Sequence, residues 1–208
     1  MRDKTTILIG SLAGMLLCCA GGQARADEQG TYFALELEGG ASFALDYGDT
    51  STPGYSARLA FGVGGKPAGW STRFYFLAAY ERTGGTLGGD YLSLDRSTDS
   101  LLLGPRVVFP LFAGLRFFGE VLIGPSWVCS DIDGPHPALS YKADETLFTY
   151  RLGIGLQYRI FKHLSVGVRA EYADEADDGQ DLGARVVTGV DGDPGMRIGV
   201  SAFATVHF

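Results

Sequence analysis

The chain has 208 residues with 17 basic and 24 acidic side chains, a formal net charge of −7. Acidity of that size excludes a nucleic-acid binder, whose phosphate partners demand a basic footprint. Three cysteines, Cys18, Cys19 and Cys129, are too few and too poorly spaced for a disulfide framework.

The first residues carry the charged run Arg2-Asp3-Lys4, an apolar stretch from Ile7 to about Ala20, and the small-x-small site Ala24-Arg25-Ala26. This order describes a secretory signal peptide, and the apolar stretch is shorter than the ~20 residues a helix needs to cross a bilayer. Cleavage after Ala26 is therefore expected, dividing the chain into a signal (1–26) and one mature domain (27–208). Cys18 and Cys19 follow Leu17 and Cys18 rather than a small residue, which argues against lipid attachment. The signal holds three of the 17 basic residues and one of the 24 acidic ones, leaving 14 against 23 and a mature charge of −9. Cys129 then stands alone, expected to be buried or rim-facing and inert.

Beyond the signal no helical period persists. Strict alternation does, interrupted by Gly, Pro and Asp clusters, and it predicts eight strands. The first sets Phe33, Leu35, Leu37, Ala41 and Phe43 against Glu36, Glu38, Gly40 and Ser42. The second sets Tyr55, Ala57, Leu59, Phe61 and Val63 against Ser56, Arg58, Gly62 and Gly64. The third, about 72–82, is less regular, because Tyr75 and Leu77 share a face with Arg73 and Glu81. The fourth opposes Leu101, Leu103, Val107 and Phe109 to Ser100, Gly104 and Arg106, with Pro105 removing one ladder donor. The fifth opposes Leu115, Phe117, Val121, Ile123 and Trp127 to Arg116, Glu120, Gly124 and Ser126. The sixth runs apolar at even positions from Phe148 to Ile160 against Thr149, Arg151, Gly153, Gly155, Gln157 and Arg159. The seventh opposes Leu164, Val166, Val168, Ala170 and Tyr172 to Ser165, Gly167, Arg169 and Glu171. The last places Met196, Ile198, Val200, Ala202, Ala204, Val206 and the terminal Phe208 on one face, with Arg197, Gly199, Ser201, Thr205 and His207 on the other.

Connections near 65–71, 110–114 and 161–163 read as short, and those near 44–54, 83–99, 129–145 and 173–195 as long. Both termini fall on the short side. That asymmetry belongs to membrane barrels with tight periplasmic turns and long external loops.

Alternation alone does not say which face meets lipid, since a soluble ligand-binding barrel shows the same pattern turned inside out. Three features orient it. Lys66, Lys142 and Lys162 all lie in connections, whereas the mid-strand cations are arginines, whose planar fork suits enclosed pairing with carboxylates. The polar face also holds most strand glycines, which make room in a narrow lumen. Aromatic residues gather toward strand ends (Tyr32, Phe43, Tyr55, Trp70, Phe74, Tyr80, Phe109, Trp127, Phe148, Tyr158, Phe161, Tyr172 and Phe208), as interfacial girdles require. An open edge in hydrocarbon would leave amides unpaired, so the sheet must close.

On these residues the segment from about 30 to 208 resembles the small eight-stranded bacterial outer-membrane barrels of the OmpA-like and OmpX-like kind. The resemblance implies an antiparallel up-and-down transmembrane barrel, an outer-membrane address, contact with lipid and lipopolysaccharide, insertion by the barrel-assembly machinery, and a monomer. It also implies a C-terminal sorting signal in Ala204, Val206 and Phe208. The periplasmic peptidoglycan-binding domain of full-length OmpA-like proteins has no counterpart in this sequence.

The inward set is expected to comprise Glu36, Glu38, Glu81, Glu120 and Glu171 with Arg58, Arg73, Arg106, Arg116, Arg151, Arg169 and Arg197. Eight strands enclose just enough space for side chains, so these predict a plugged interior of ion pairs. A narrow channel, anion-favouring because of its arginines, is the alternative, and a soluble periplasmic barrel the third reading. No catalytic residue, cofactor or metal site is expected. The lipid A deacylases among such barrels carry a His-x-Ser pair, and the spacing occurs here as His163-Leu164-Ser165, but at a periplasmic turn. Neither His136 nor His207 is expected to have a nearby serine poised as its partner. The acidic runs Asp174, Glu175, Asp177, Asp178, Asp181, Asp191 and Asp193, and Asp131, Asp133 and Asp144, read as solvated loops rather than a calcium site.

Overall fold

The computed structural model describes residues 31–44, 54–88, 93–133, 141–176 and 197–208. The proposed signal peptide lies outside them. Eight strands appear in chain order: β1 (Thr31–Ala44), β2 (Gly54–Gly65), β3 (Arg73–Gly88), β4 (Ser93–Pro110), β5 (Leu115–Asp133), β6 (Tyr141–Phe161), β7 (Leu164–Ala176) and β8 (Arg197–His207). Each pairs antiparallel with the next, and β8 returns to β1 from Ala34↔His207 to Ala44↔Arg197, closing an up-and-down barrel. Closure removes both edges, which is the only way a sheet keeps its amides paired in hydrocarbon.

The three tight links, 66–72, 111–114 and 162–163, lie where the alternation stops. In the second, Leu115 N–H donates to Phe112 O at 2.8 Å and Leu111 N–H to Leu115 O at 2.9 Å. Gly114 closes that turn at φ 86°, a left-handed conformation that costs glycine least. At the other end the expected long loops are largely strand. The β3–β4 ladder continues to Gly88↔Ser93 and β5–β6 to Ile132↔Tyr141, so much of 83–99 and 129–145 is paired backbone. Polar side chains alternate there with other polar ones, which hides the period. Thr86 Oγ1 donating to Asp95 Oδ1 at 2.6 Å, and Lys142 Nζ to Asp131 Oδ2 at 2.9 Å, tie these extensions across their strands.

Orientation of the faces is unambiguous. Ile154 is 57% exposed and Val200 54%, while Arg151 is 3% exposed. Leu37, Phe76, Leu103, Val121, Ile123, Leu152 and Val168 complete an outward apolar band. Outward aromatics bracket it: Trp70, Phe74, Phe109, Tyr158, Phe161 and Phe208 toward the tight links, and Tyr55, Trp127 and Phe148 toward the other end. Tyr32 departs from the expected girdle. Its ring is buried inside the barrel, beneath the Arg73 guanidinium at 4.7 Å.

Candidate functional site in the lumen

The middle of the lumen is an ion-pair lattice. Glu36 and Glu38 from β1 meet Arg58 from β2, whose Nη2 lies 3.3 Å from Glu36 and whose Nη1 lies 2.8 Å from Glu120 of β5. Arg106 of β4 lies 2.6 Å from both Glu36 and Glu120. Arg169 of β7 pairs with Glu38, with Glu120 at 2.9 Å and with Glu171 at 3.0 Å, and Arg151 of β6 joins Glu171 to Glu81 of β3 at 3.3 and 2.6 Å. Glu120 thus serves three guanidinium groups. Planar forks donating to several carboxylates at once are the geometry for which arginine, not lysine, is suited.

Toward the long-link end a second cluster forms. Glu175 lies 2.7 Å from both Arg96 and Arg197, and Arg197 also donates to Thr83 Oγ1 at 2.6 Å and Thr98 Oγ1 at 3.0 Å. Together the two clusters hold six arginines against six glutamates. Arg96 and Glu175 were outside the expected set, because both lie in segments that read as loops. Beside this cluster Ser126 Oγ is 2.7 Å from Ser100 Oγ and 2.5 Å from Thr149 Oγ1, a hydroxyl row across β4, β5 and β6.

Strand glycines sit opposite the bulkiest lumen groups. A Cβ on Gly153 would come within 2.8 Å of Glu120 Cγ, one on Gly199 within 2.7 Å of Glu171 Oε1, and one on Gly155 within 2.5 Å of the Phe118 ring. Lattice and glycine gaps are one packing unit.

Two expected members, Arg73 and Arg116, are not brought into the lattice. Both point inward at the tight-link end, where neither has a carboxylate within ion-pair distance among the described residues. Between them and the lattice lies an apolar layer that the alternation concealed: Tyr32, Ala34, Tyr75, Leu77, Val108, Phe118 and Phe203. Phe118 and Phe203 meet edge to face at 5.5 Å, and Arg106 covers Phe118 at 4.6 Å.

The expectation that His207 lacks a serine is corrected. Antiparallel pairing of β7 with β8 brings Ser165 Oγ to 3.0 Å from His207 Nε2, while His163 Nδ1 lies 2.9 Å from the His207 carbonyl. Ser165 is fully enclosed, so its hydroxyl cannot meet an ester. These contacts anchor the C-terminal strand, as does Phe208 N–H to Phe33 O at 2.9 Å; the Ala204, Val206 and Phe208 side chains face outward.

Outside, at the upper edge of the apolar band, Tyr80 Oη donates to Asp99 Oδ1 at 2.6 Å and Tyr150 Oη to Asp174. Asp131, Asp133, Asp144, Asp174 and Glu175, read as loop residues, lie on strand extensions; Asp177, Asp178, Asp181, Asp191, Asp193 and His136 fall outside the described residues. Among the described residues no three Asp, Glu, His or Cys side chains converge as a metal site.

No family model matches the chain, and no curated protein does. Solved structures do resemble it. Neisserial surface protein A (NspA) superposes with a TM-score of 0.58 at 14% identity, covering 86% of this chain and 100% of that one. Ail, the attachment invasion locus protein of Yersinia pestis, solved with the heparin analogue sucrose octasulfate, gives 0.53 at 12%, covering 86% and 99%. A major outer membrane protein of Thermus thermophilus gives 0.53 at 14%, also covering 86% and 99%. By its closed eight-strand topology and these likenesses, the chain has the fold of the small bacterial outer-membrane β-barrels.

Proposed function

We propose that this chain is an outer-membrane barrel with a sealed lumen, a structural or surface-interaction protein rather than a channel or an enzyme. One observation carries the reading: six arginines and six glutamates fill the barrel cross-section, almost wholly shielded from solvent, with their charges balanced. A conducting pore needs charged groups that line water, whereas these are consumed by one another. Lipid and lipopolysaccharide meet the outward band, the assembly machinery reads Phe208 and its strand, and a monomer suffices because closure leaves no edge.

The partner would meet the strand extensions and the links beyond them. Asp95, Asp99, Asp131, Asp144 and Glu145 lie on those extensions against Arg82 and Lys142, and Asp46, Asp49, Asp90 and the last link's five aspartates continue the acidity. A sulfated polyanion of the kind bound to Ail would be repelled here, so a neutral or cationic surface is the expected partner.

Cys129 tests location and orientation. It is exposed on the β5 extension, where a hydrogen bond from its thiol to Asp144 and that group's charge push its pKa up. At alkaline pH a membrane-impermeant maleimide should label it on intact cells. Labelling only after outer-membrane rupture would contradict the orientation. In planar bilayers the refolded protein should give no steady conductance, and reproducible unitary steps would overturn the sealed lumen.

A further inference from the structure

The tight-link end of the barrel carries a charge distribution unlike the rest of the molecule. Every described acidic residue lies at the level of Glu36 or beyond it toward the long-link end, whereas Lys66, Arg73, Arg116, Arg159 and Lys162 all lie at or near the tight links. Arg73 of β3, Arg116 of β5 and Arg159 of β6 point toward one mouth. Arg116 faces Gln157, one inward step from Arg159, across the β5–β6 ladder, and Arg73 and Arg159 both lie within electrostatic reach of Arg116. None of the three has an ion-pair partner among the described residues. Arg159 donates instead to the carbonyls of Phe161 at 3.3 Å and Lys162, and Arg73 rests on Tyr32.

Two further polar groups at this end are enclosed without a partner: Tyr75 Oη, on β3 one inward step from Arg73, and His207 Nδ1, whose ring feels all three guanidinium groups. Like charges gathered around unsatisfied polar atoms are destabilising when empty and favourable when an anion divides its oxygens among them. Guanidinium forks match the oxygens of a phosphate in particular. An apolar floor of Phe118 and Phe203 lies between this mouth and the lattice above; Glu36 alone among the lattice carboxylates acts on His207, alongside the three guanidinium groups, and it is itself paired with Arg58 and Arg106.

We propose that Arg73, Arg116 and Arg159, with Tyr75 and His207, form an anion-binding site at the tight-link mouth that takes a phosphate group, either the headgroup of an anionic phospholipid in the adjoining leaflet or a soluble phosphate. Its periplasmic placement rests on the orientation proposed above; the site itself does not. Binding is therefore measured on purified protein in an uncharged detergent, where orientation plays no part.

Inorganic phosphate titrated against the full mature chain, followed by 31P line broadening, should bind, and R73Q/R116Q should weaken it by roughly ten- to a hundredfold, while R82Q at the opposite end leaves it unchanged. R73K/R116K should retain part of the affinity. In a second arm, protein refolded in phosphatidylcholine vesicles with and without phosphatidylglycerol is re-extracted and its retained lipid analysed. Enrichment of phosphatidylglycerol that disappears in R73Q/R116Q identifies a headgroup as the source, and phosphate binding without enrichment identifies a soluble ligand. If R73Q/R116Q lacks the folded, heat-modifiable gel band, R116Q alone makes the comparison. Absence of both binding and enrichment, or equal values in wild type and variants, would overturn the proposal.

Discussion

The mid-lumen and the tight-link mouth are built from the same residue type, yet the barrel uses it in opposite ways. In the middle, Arg58, Arg106, Arg151 and Arg169 are surrounded by carboxylates; at the mouth, Arg73, Arg116 and Arg159 have no carboxylate partner among the described residues, Arg73 resting on a ring and Arg159 on carbonyls. The difference shows that alternation tells which way an arginine points, whereas the depth at which it lies decides whether it holds the wall together or waits for a ligand. Deep in the barrel an uncompensated guanidinium would be too costly to enclose. Near the mouth water reaches it, and the charge is tolerable.

Substitutions can break this comparison, and Glu120→Ala should do so most strongly. It strips Arg58, Arg106 and Arg169 of a shared partner, and a loss of roughly 3–5 kcal/mol is expected in denaturant unfolding followed by the heat-modifiable gel band. Gly153→Val should cost about 1–3 kcal/mol by driving a side chain into Glu120, the overpacking penalty, with Gly39→Val, where a Cβ would come no closer than 3.9 Å to Ser56 O, as the milder control. Arg116→Ala should lose about 1 kcal/mol or less, because no carboxylate is stranded by it; a loss equal to that of Glu120→Ala would erase the distinction between the two regions. Lys142→Ala, which removes an exposed pair with Asp131 on the β5–β6 extension, should leave the unfolding midpoint unchanged at moderate salt.

Much of this was legible from residue order, for a physical reason. Hydrocarbon enforces an outward apolar band on every strand, so the eight segments, the three tight links and the inward direction of Arg58, Arg106, Arg151 and Arg169 follow from a period of two. Where lipid stops enforcing it, legibility fails. The β3–β4 and β5–β6 extensions project beyond the band with polar residues on both faces, which hid Arg96 and the strand character of Asp95 and Asp131. Phe118 next to Phe117, and Phe203 between Ala202 and Ala204, are inward apolar residues beside outward ones, so the apolar floor leaves no alternating trace. Ser165 and His207 meet only because β7 and β8 pair in one register, a relation between distant segments that neither segment contains alone.

Throughout the barrel, aliphatic side chains face lipid while the guanidinium groups of the lattice are enclosed. Ile154→Trp in a Trp70→Phe/Trp127→Phe background, reconstituted in vesicles containing brominated acyl chains, tests it most directly. Strong quenching of that single tryptophan by the brominated lipid and none by aqueous iodide is expected. Quenching by iodide with no response to the brominated chains would contradict it.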